Sequence, residues 1–241
     1  MVTYTLIGSS FLLAGFVKGV VGLGLPTISL ALLTVLLDLP TAMALLVVPA
    51  FCTNIWQGFI GGHLALLSRR LWPLLVMVIP LVWVGAALSS FIETLVLTRI
   101  LGAMLVIYAA LSFRSVIYSI PLPMQAWLGP LCGAINGVLT GLTGSLFFPG
   151  VMYLQAISLS RDQLVQAMGL LFALSTLALG ISLQETDRIN VSLWQISGFA
   201  LLPALFGMHF GKICRGYLSK DLFRLVFLSG LALLGLFIML R

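Results

Sequence analysis

The chain has 241 residues, is 61% hydrophobic and only 7% charged, and its mean hydropathy is +1.20. A soluble domain carries about 25% charged residues, so a water-soluble globule is excluded; long apolar stretches parted by short charged gaps are the mark of a polytopic helical membrane protein, whose backbone must satisfy its own hydrogen bonds in lipid. The formal net charge of +6 comes from basic residues scattered singly between apolar segments rather than clustered with aromatics, which excludes a nucleic-acid partner and points to membrane topology.

The opening MVTYTLIGSSFLLAGFVKG lacks the basic start of a signal peptide and stays apolar past any cleavage point, so it reads as mature protein. The first apolar segment, 4–37, far exceeds the roughly 20 residues that one crossing needs. Gly19, Gly22, Gly24 and Pro26 interrupt it, because glycine permits turns that other residues resist and proline removes a donor. Each arm then has about 15 to 17 residues, roughly 22 to 26 Å at about 1.5 Å per residue, against a hydrocarbon core about 30 Å thick. A V-shaped hairpin that dips into the membrane and returns is therefore expected. Three spans follow the Asp38-Leu39-Pro40 turn, at 41–59, 71–91 and 95–113, with Arg69 and Arg70 parting the first two and Glu93 ahead of the third.

The second half repeats this plan. A segment at 124–159 is expected to break at Gly137, Gly141 and Gly144, with Pro149 beyond, and spans follow at 163–183, 191–213 and 222–240. Sliding the halves by about 120 residues aligns Gly15/Gly19 with Gly133/Gly137 and Leu71-Trp72 with Leu193-Trp194, the signature of an internal duplication, 1–118 and 119–241. If each broken segment returns to its own side, Arg69, Arg70, Arg114, Arg161, Lys212, Arg215, Lys220 and Arg224 share one face, eight of the twelve basic residues. That face is expected to be cytoplasmic. Asp38, Glu93, Glu185 and Asp187 fall opposite, with Arg99, Arg188 and Arg241. The repeats are then inverted, an arrangement that places binding sites near the bilayer midplane.

GFVKGVVGLGLP at 15–26, LDLPTAMALLVVPAFCTNIWQG at 37–58 and the weaker second copy GAINGVLTGLTGSLFFPG at 133–150 resemble the TauE/SafE family of sulfite and organosulfonate exporters over the full length. The resemblance implies export of a small anion, sulfite or a sulfonate, across the bacterial inner membrane. Members of that family often carry a longer glycine cluster at the break; here Leu23 and Leu25 interleave Gly22 and Gly24, and the second copy has Thr143 and Ser145.

Lys18 is the one basic residue that this topology puts well inside the membrane, where a charge costs at least about 2.5 to 3.5 kcal/mol and normally faces a cavity or a partner. It reads as an attractor of the substrate anion, or as a lysine that snorkels or caps helix carbonyls. Backbone N–H groups at Gly22, Gly24, Thr143, Gly144 and Ser145 suit an anion at a helix start, while Gly15, Gly133 and Gly137 suit close helix packing. Asn54 and Gln57, one turn apart beside Thr53, form a polar cluster in a span, with Gln166 and Ser175-Thr176 as counterparts and Asn136 standing where the first copy has Lys18. Each is either a ligand donor or an interhelical hydrogen bonder.

His209 reads either as a proton relay or as a satisfied structural residue, and His63 as a solvated loop residue. All six acids fall at predicted loop ends, which argues against a proton relay on buried carboxylates. Cys52, Cys132 and Cys214 show no CxxC spacing, and no metal and no cofactor are expected. Trp72, Trp127 and Trp194 lie near segment ends as interfacial anchors. The expected partners are a small anion and the bilayer, and a homodimer is compatible with the sequence. The reading is thus a secondary exporter; an intramembrane enzyme would need paired aspartates, a serine with a base or an HExxH motif, none of which the sequence has. A passive channel or a subunit of a larger complex is the remaining alternative.

Overall fold

The computed structural model describes residues 2–113 and 119–241, so Arg114 and the boundary expected at 118/119 lie outside the described residues, as does the side chain of Lys220. The described residues are all-helical: α1 Val2–Val21, α2 Leu25–Leu36, α3 Leu39–Phe59, α4 Leu64–Leu88, α5 Thr94–Phe113, α6 Leu122–Thr143, α7 Gly150–Ala156, α8 Arg161–Glu185, α9 Val191–Cys214 and α10 Lys220–Leu240, with a 3₁₀ turn at Ser89–Phe91. Seven of these helices are long and apolar enough to cross a membrane, namely α1, α3, α4, α5, α8, α9 and α10.

Three expectations are corrected. The arms of the broken segments are unequal, 20 and 12 residues in the first and 22 and 7 in the second, and among these described arms α1 is the one both long and apolar enough to cross. The reason is that Gly19, Gly137 and Gly141 do not break their helices; they remain helical because neighbouring backbone packs where a side chain would be. Finally, α4 begins at Leu64 rather than near 71, so Arg69 and Arg70 lie within the helix. Long basic side chains are tolerated near a helix end, where the head group reaches polar partners.

The chain forms two compact units, and each draws on both halves of the sequence. The first holds α1, α2, α3 as far as Pro49, α5, α9 and α10. Here α1 and α9 run parallel in close contact: a Cβ on Gly15 would collide with the carbonyl of Ala204, one on Gly19 with that of Met208, and Cβ atoms on Gly207 and Gly211 with the carbonyls of Leu12 and Phe16. Small residues on both sides let the backbones approach, which in lipid is a main source of helix association. Helices α5 and α10 meet at Gly102 and Gly235. Arg241 Nη1 donates to Val35 O at 2.6 Å, bringing the end of α10 beside the end of α2. Ser197 Oγ on α9 donates to Leu45 O at 2.8 Å and accepts from Val48 N at 3.1 Å.

The second unit holds the rest of α3, α4, α6, α7 and α8. Its parallel pair is α4 and α6, where Gly133, Gly137 and Gly141 face the carbonyls of Leu74, Val78 and Val82, and Gly85 faces that of Val138. The broken segment that contains α6 and α7 closes on itself. Ile120 N donates to Ala156 O at 2.9 Å, the Ser119 and Ser158 hydroxyls lie 3.3 Å apart, and Arg70 Nη2 reaches both Gln125 Oε1 at 3.0 Å and Ile157 O at 2.6 Å. Far from that end, Arg188 donates to Ser89 Oγ and Ser90 Oγ at 2.6 and 2.8 Å.

The Arg70 contacts yield a prediction. Hydrogen bonds to a charged group contribute about 1.5 to 3 kcal/mol, so Arg70→Met should loosen the closed ends, and amide exchange at Ile120 should accelerate roughly tenfold or more. Unchanged exchange at Ile120 would show that the arginine does not hold the hairpin shut.

Candidate functional site

The first break lies in the first unit. Helix α1 runs to Val21, and Gly22 N donates to Lys18 O at 2.7 Å. Gly22 and Gly24 have φ of 88° and 110°, a region in which any other residue is strained. Gly24 then caps α2 through its backbone alone, with Pro26 in the first turn, where the missing N–H costs nothing. Lys18 sits on the last turn of α1 and is 3% exposed. A helix C-terminus carries partial negative charge, which favours a cation there. Lys18 is the one charged side chain that is buried among the described residues, and all six carboxylates, Asp38, Glu93, Asp162, Glu185, Asp187 and Asp221, are exposed.

The second break lies in the second unit. Helix α6 ends at Thr143, and Gly144, with φ of 72°, donates to Thr140 O at 2.7 Å in a left-handed cap. Asn136, Thr140, Thr143 and Ser145 are all fully buried. Asn136 Oδ1 accepts from Gly150 N at 3.1 Å and so joins the middle of α6 to the start of α7. Thr140 Oγ1 lies 2.8 Å from both Asn136 O and Ser145 O, and its single proton serves one of them at a time. Thr143 Oγ1 donates to Leu139 O at 2.8 Å and accepts from Ser145 N at 3.3 Å. Ser145 Oγ is buried with no hydrogen-bond partner among the described residues. An orphaned buried hydroxyl costs stability.

The remaining expected site residues also fall in the second unit. Asn54 is fully buried. Gln57 and Gln166 form a reciprocal clasp between α3 and α8: Gln57 Nε2 donates to Val165 O at 2.7 Å and Gln166 Nε2 to Gly58 O at 2.9 Å, while Gln166 Oε1 accepts from His63 N at 3.0 Å. Within one unit the fold thus brings Lys18, Gly22 and Gly24 together. In the other it brings Asn136, Thr143, Gly144 and Ser145 together, and sets Gln57 against Gln166 at the α3–α8 crossing. His209 is exposed on α9, its ring edge-on to Phe210. An apolar groove between α1 and α9, lined by Leu12, Leu13, Phe16 and Phe210, offers an anion nothing.

Thr140 and Gly150 join these groups in the fold. Thr140 stands one turn beyond Asn136, a spacing that puts both on one helix face and was legible. The bond from Gly150 to Asn136 joins residues across a break and had no local signal.

Among the described residues, seven helices fit to cross a membrane define a multi-pass membrane protein, and interrupted helices with buried polar groups are a feature of transporters. A family model described as Sulfite exporter TauE/SafE matches residues 7–238, nearly the whole chain. The chain belongs to the TauE/SafE sulfite exporter family, for which the bacterial inner membrane is the fitting location. No significant match to a curated protein or to a solved structure was found.

Proposed function

We propose that the protein is a secondary exporter of small sulfur oxyanions, sulfite or organosulfonates, that works by alternating access with anion binding near mid-membrane depth. The observation that carries this reading is Lys18: a buried lysine at a helix break, in a chain whose carboxylates are all exposed. In the second unit, Asn54, Asn136, Thr143, Gly144 and Ser145 are proposed as neutral donors to an anion in their own right. Gln57 and Gln166 have their amides engaged with backbone, and their part is to hold α3 against α8. An anion leaving a cell that is negative inside gains about 2.3 kcal/mol per charge per 100 mV, so outward transport needs no nucleotide.

Several features support an inverted repeat. Pairing α1 with α6 and α4 with α9 by sequence order, the α1–α9 contact of the first unit has its counterpart in the α6–α4 contact of the second. The meeting of residues 120 and 156, and of Val35 with Arg241, fits broken segments that return to their own side. Cysteine labelling tests this topology: position 69 should react from the cytoplasm and positions 38 and 187 from outside. Labelling of 69 and 187 from one side would overturn it. The transport reading is tested with purified protein in liposomes, where flux of labelled sulfite should saturate and counter-exchange; a linear conductance would instead indicate a pore.

A further inference from the structure

Arg70 is held at the closed end of the α6–α7 segment by acceptors that carry no charge. Its Nη2 donates to Gln125 Oε1 at 3.0 Å and to Ile157 O at 2.6 Å, so both hydrogens of that nitrogen are engaged. Its Nε is buried and has no hydrogen-bond partner among the described residues. The side chain is half-buried, and all the acidic side chains of the chain are exposed. An arginine stays charged in a protein, and a buried N–H left without a partner is costly. The surroundings fix the guanidinium: Gln125 Nε2 donates to Ile120 O at 2.8 Å, which leaves Oε1 for Arg70, and Gln125 O accepts from the buried Tyr153 hydroxyl at 3.2 Å. All of these residues belong to the second unit.

Resting on the exporter reading above, we infer that Arg70 is a docking point for a tetrahedral oxyanion, and that its occupation unlatches the α6–α7 segment. Such oxyanions match the edge of a guanidinium with two parallel hydrogen bonds, and the edge that holds the unpartnered donor is the one formed by Nε and Nη2. Pairing there gives Nε its partner but takes one Nη2 hydrogen from its neutral acceptor. A hydrogen bond gains strength when its acceptor too is ionised, so the anion wins that exchange. What it displaces, Ile157 O or Gln125 Oε1, is also what closes the segment, because Gln125 bonds to Ile120, and Ile120 N donates to Ala156 O at 2.9 Å. Arrival of an anion thus loosens the end of the segment that carries Asn136, Thr143, Gly144 and Ser145. The same chemistry is offered by a sulfonate in solution and by the phosphate of an anionic lipid.

The test is amide exchange at Ile120 in the intact protein, purified in detergent, with methanesulfonate or with sodium chloride at equal ionic strength. Methanesulfonate should speed exchange at Ile120 about five- to tenfold, the loss of one hydrogen bond to a charged group, while chloride, a single atom, should leave the rate near its starting value. Arg70→Met should exchange fast in plain buffer and gain nothing from methanesulfonate. Arg70→Lys keeps the charge without the two-point edge and should respond by less than about twofold. A response to methanesulfonate assigns the site to the soluble anion; acceleration in nanodiscs of phosphatidylglycerol relative to phosphatidylcholine, without methanesulfonate, upholds the docking chemistry and makes the occupant a lipid headgroup. Exchange that slows or stays unchanged in both settings, or that chloride speeds equally, would overturn the latch. Saturable sulfite flux in liposomes beside that result would leave the exporter reading standing, whereas an anion response at Ile120 with no oxyanion flux would overturn the exporter reading and keep the docking point.

Discussion

Lys18→Gln is expected to weaken anion binding roughly ten- to hundredfold, the equivalent of about 1.5 to 3 kcal/mol for a hydrogen bond to a charged donor. The same substitution removes a buried charge from the membrane, a relief of about 2.5 to 3.5 kcal/mol on insertion scales. Lys18 also has an interaction within the fold, so the unfolding midpoint of the variant is measured alongside binding, which separates loss of function from loss of structure. Lys18→Arg should retain part of the affinity, since a planar guanidinium presents its donors differently from a compact ammonium. Equilibrium binding of sulfite or methanesulfonate to purified, monodisperse protein is the measurement. Unaltered affinity in folded Lys18→Gln would make the lysine a helix-capping residue and send the search for the anion's positive partner elsewhere.

The second large effect is on stability, and it falls on the glycines at the helix contacts. A Cβ on Gly141 would meet the carbonyl of Val82 and, at 2.5 Å, the backbone nitrogen of Ala86. Backbone cannot rotate aside as a side chain can, so α4 and α6 would have to separate over several turns. Overpacking typically costs about 1 to 3 kcal/mol; for Gly141→Val the upper end or beyond is expected, read as a lowered unfolding midpoint in detergent. Gly198→Ala and Gly230→Ala are the controls. Both glycines lie in helices with open space around the added carbon, and alanine is the better helix former, so those variants should match or exceed the parent. Equal loss from all three substitutions would mean that helix contact is not what these glycines provide.

The amino-acid sequence by itself determined the class of the protein, the positions of six of its helices to within a few residues apart from the start of α4, and the two places where helices are interrupted. Such features are local: an apolar run long enough to cross lipid declares itself, and the glycines that need positive φ stand near residues that mark the turn, Gly22 and Gly24 in a cluster ahead of Pro26 and Gly144 between Thr143 and Ser145. The similarity to the TauE/SafE family was legible for the same reason, since it is carried by short contiguous strings.

Which glycines turn the chain and which admit a neighbour follows from packing alone. Gly19, Gly137 and Gly141 read like Gly22 or Gly144 in a string of letters, yet each faces the backbone of another helix far away in sequence. Packing likewise decided that Gln57 and Gln166 bind each other's helices, that Arg70 closes the α6–α7 segment, and that Asn136 caps the start of α7. All of these depend on contacts between residues many positions apart. A sequence reports a residue's capacity to donate or accept, and only the packed chain assigns the partner.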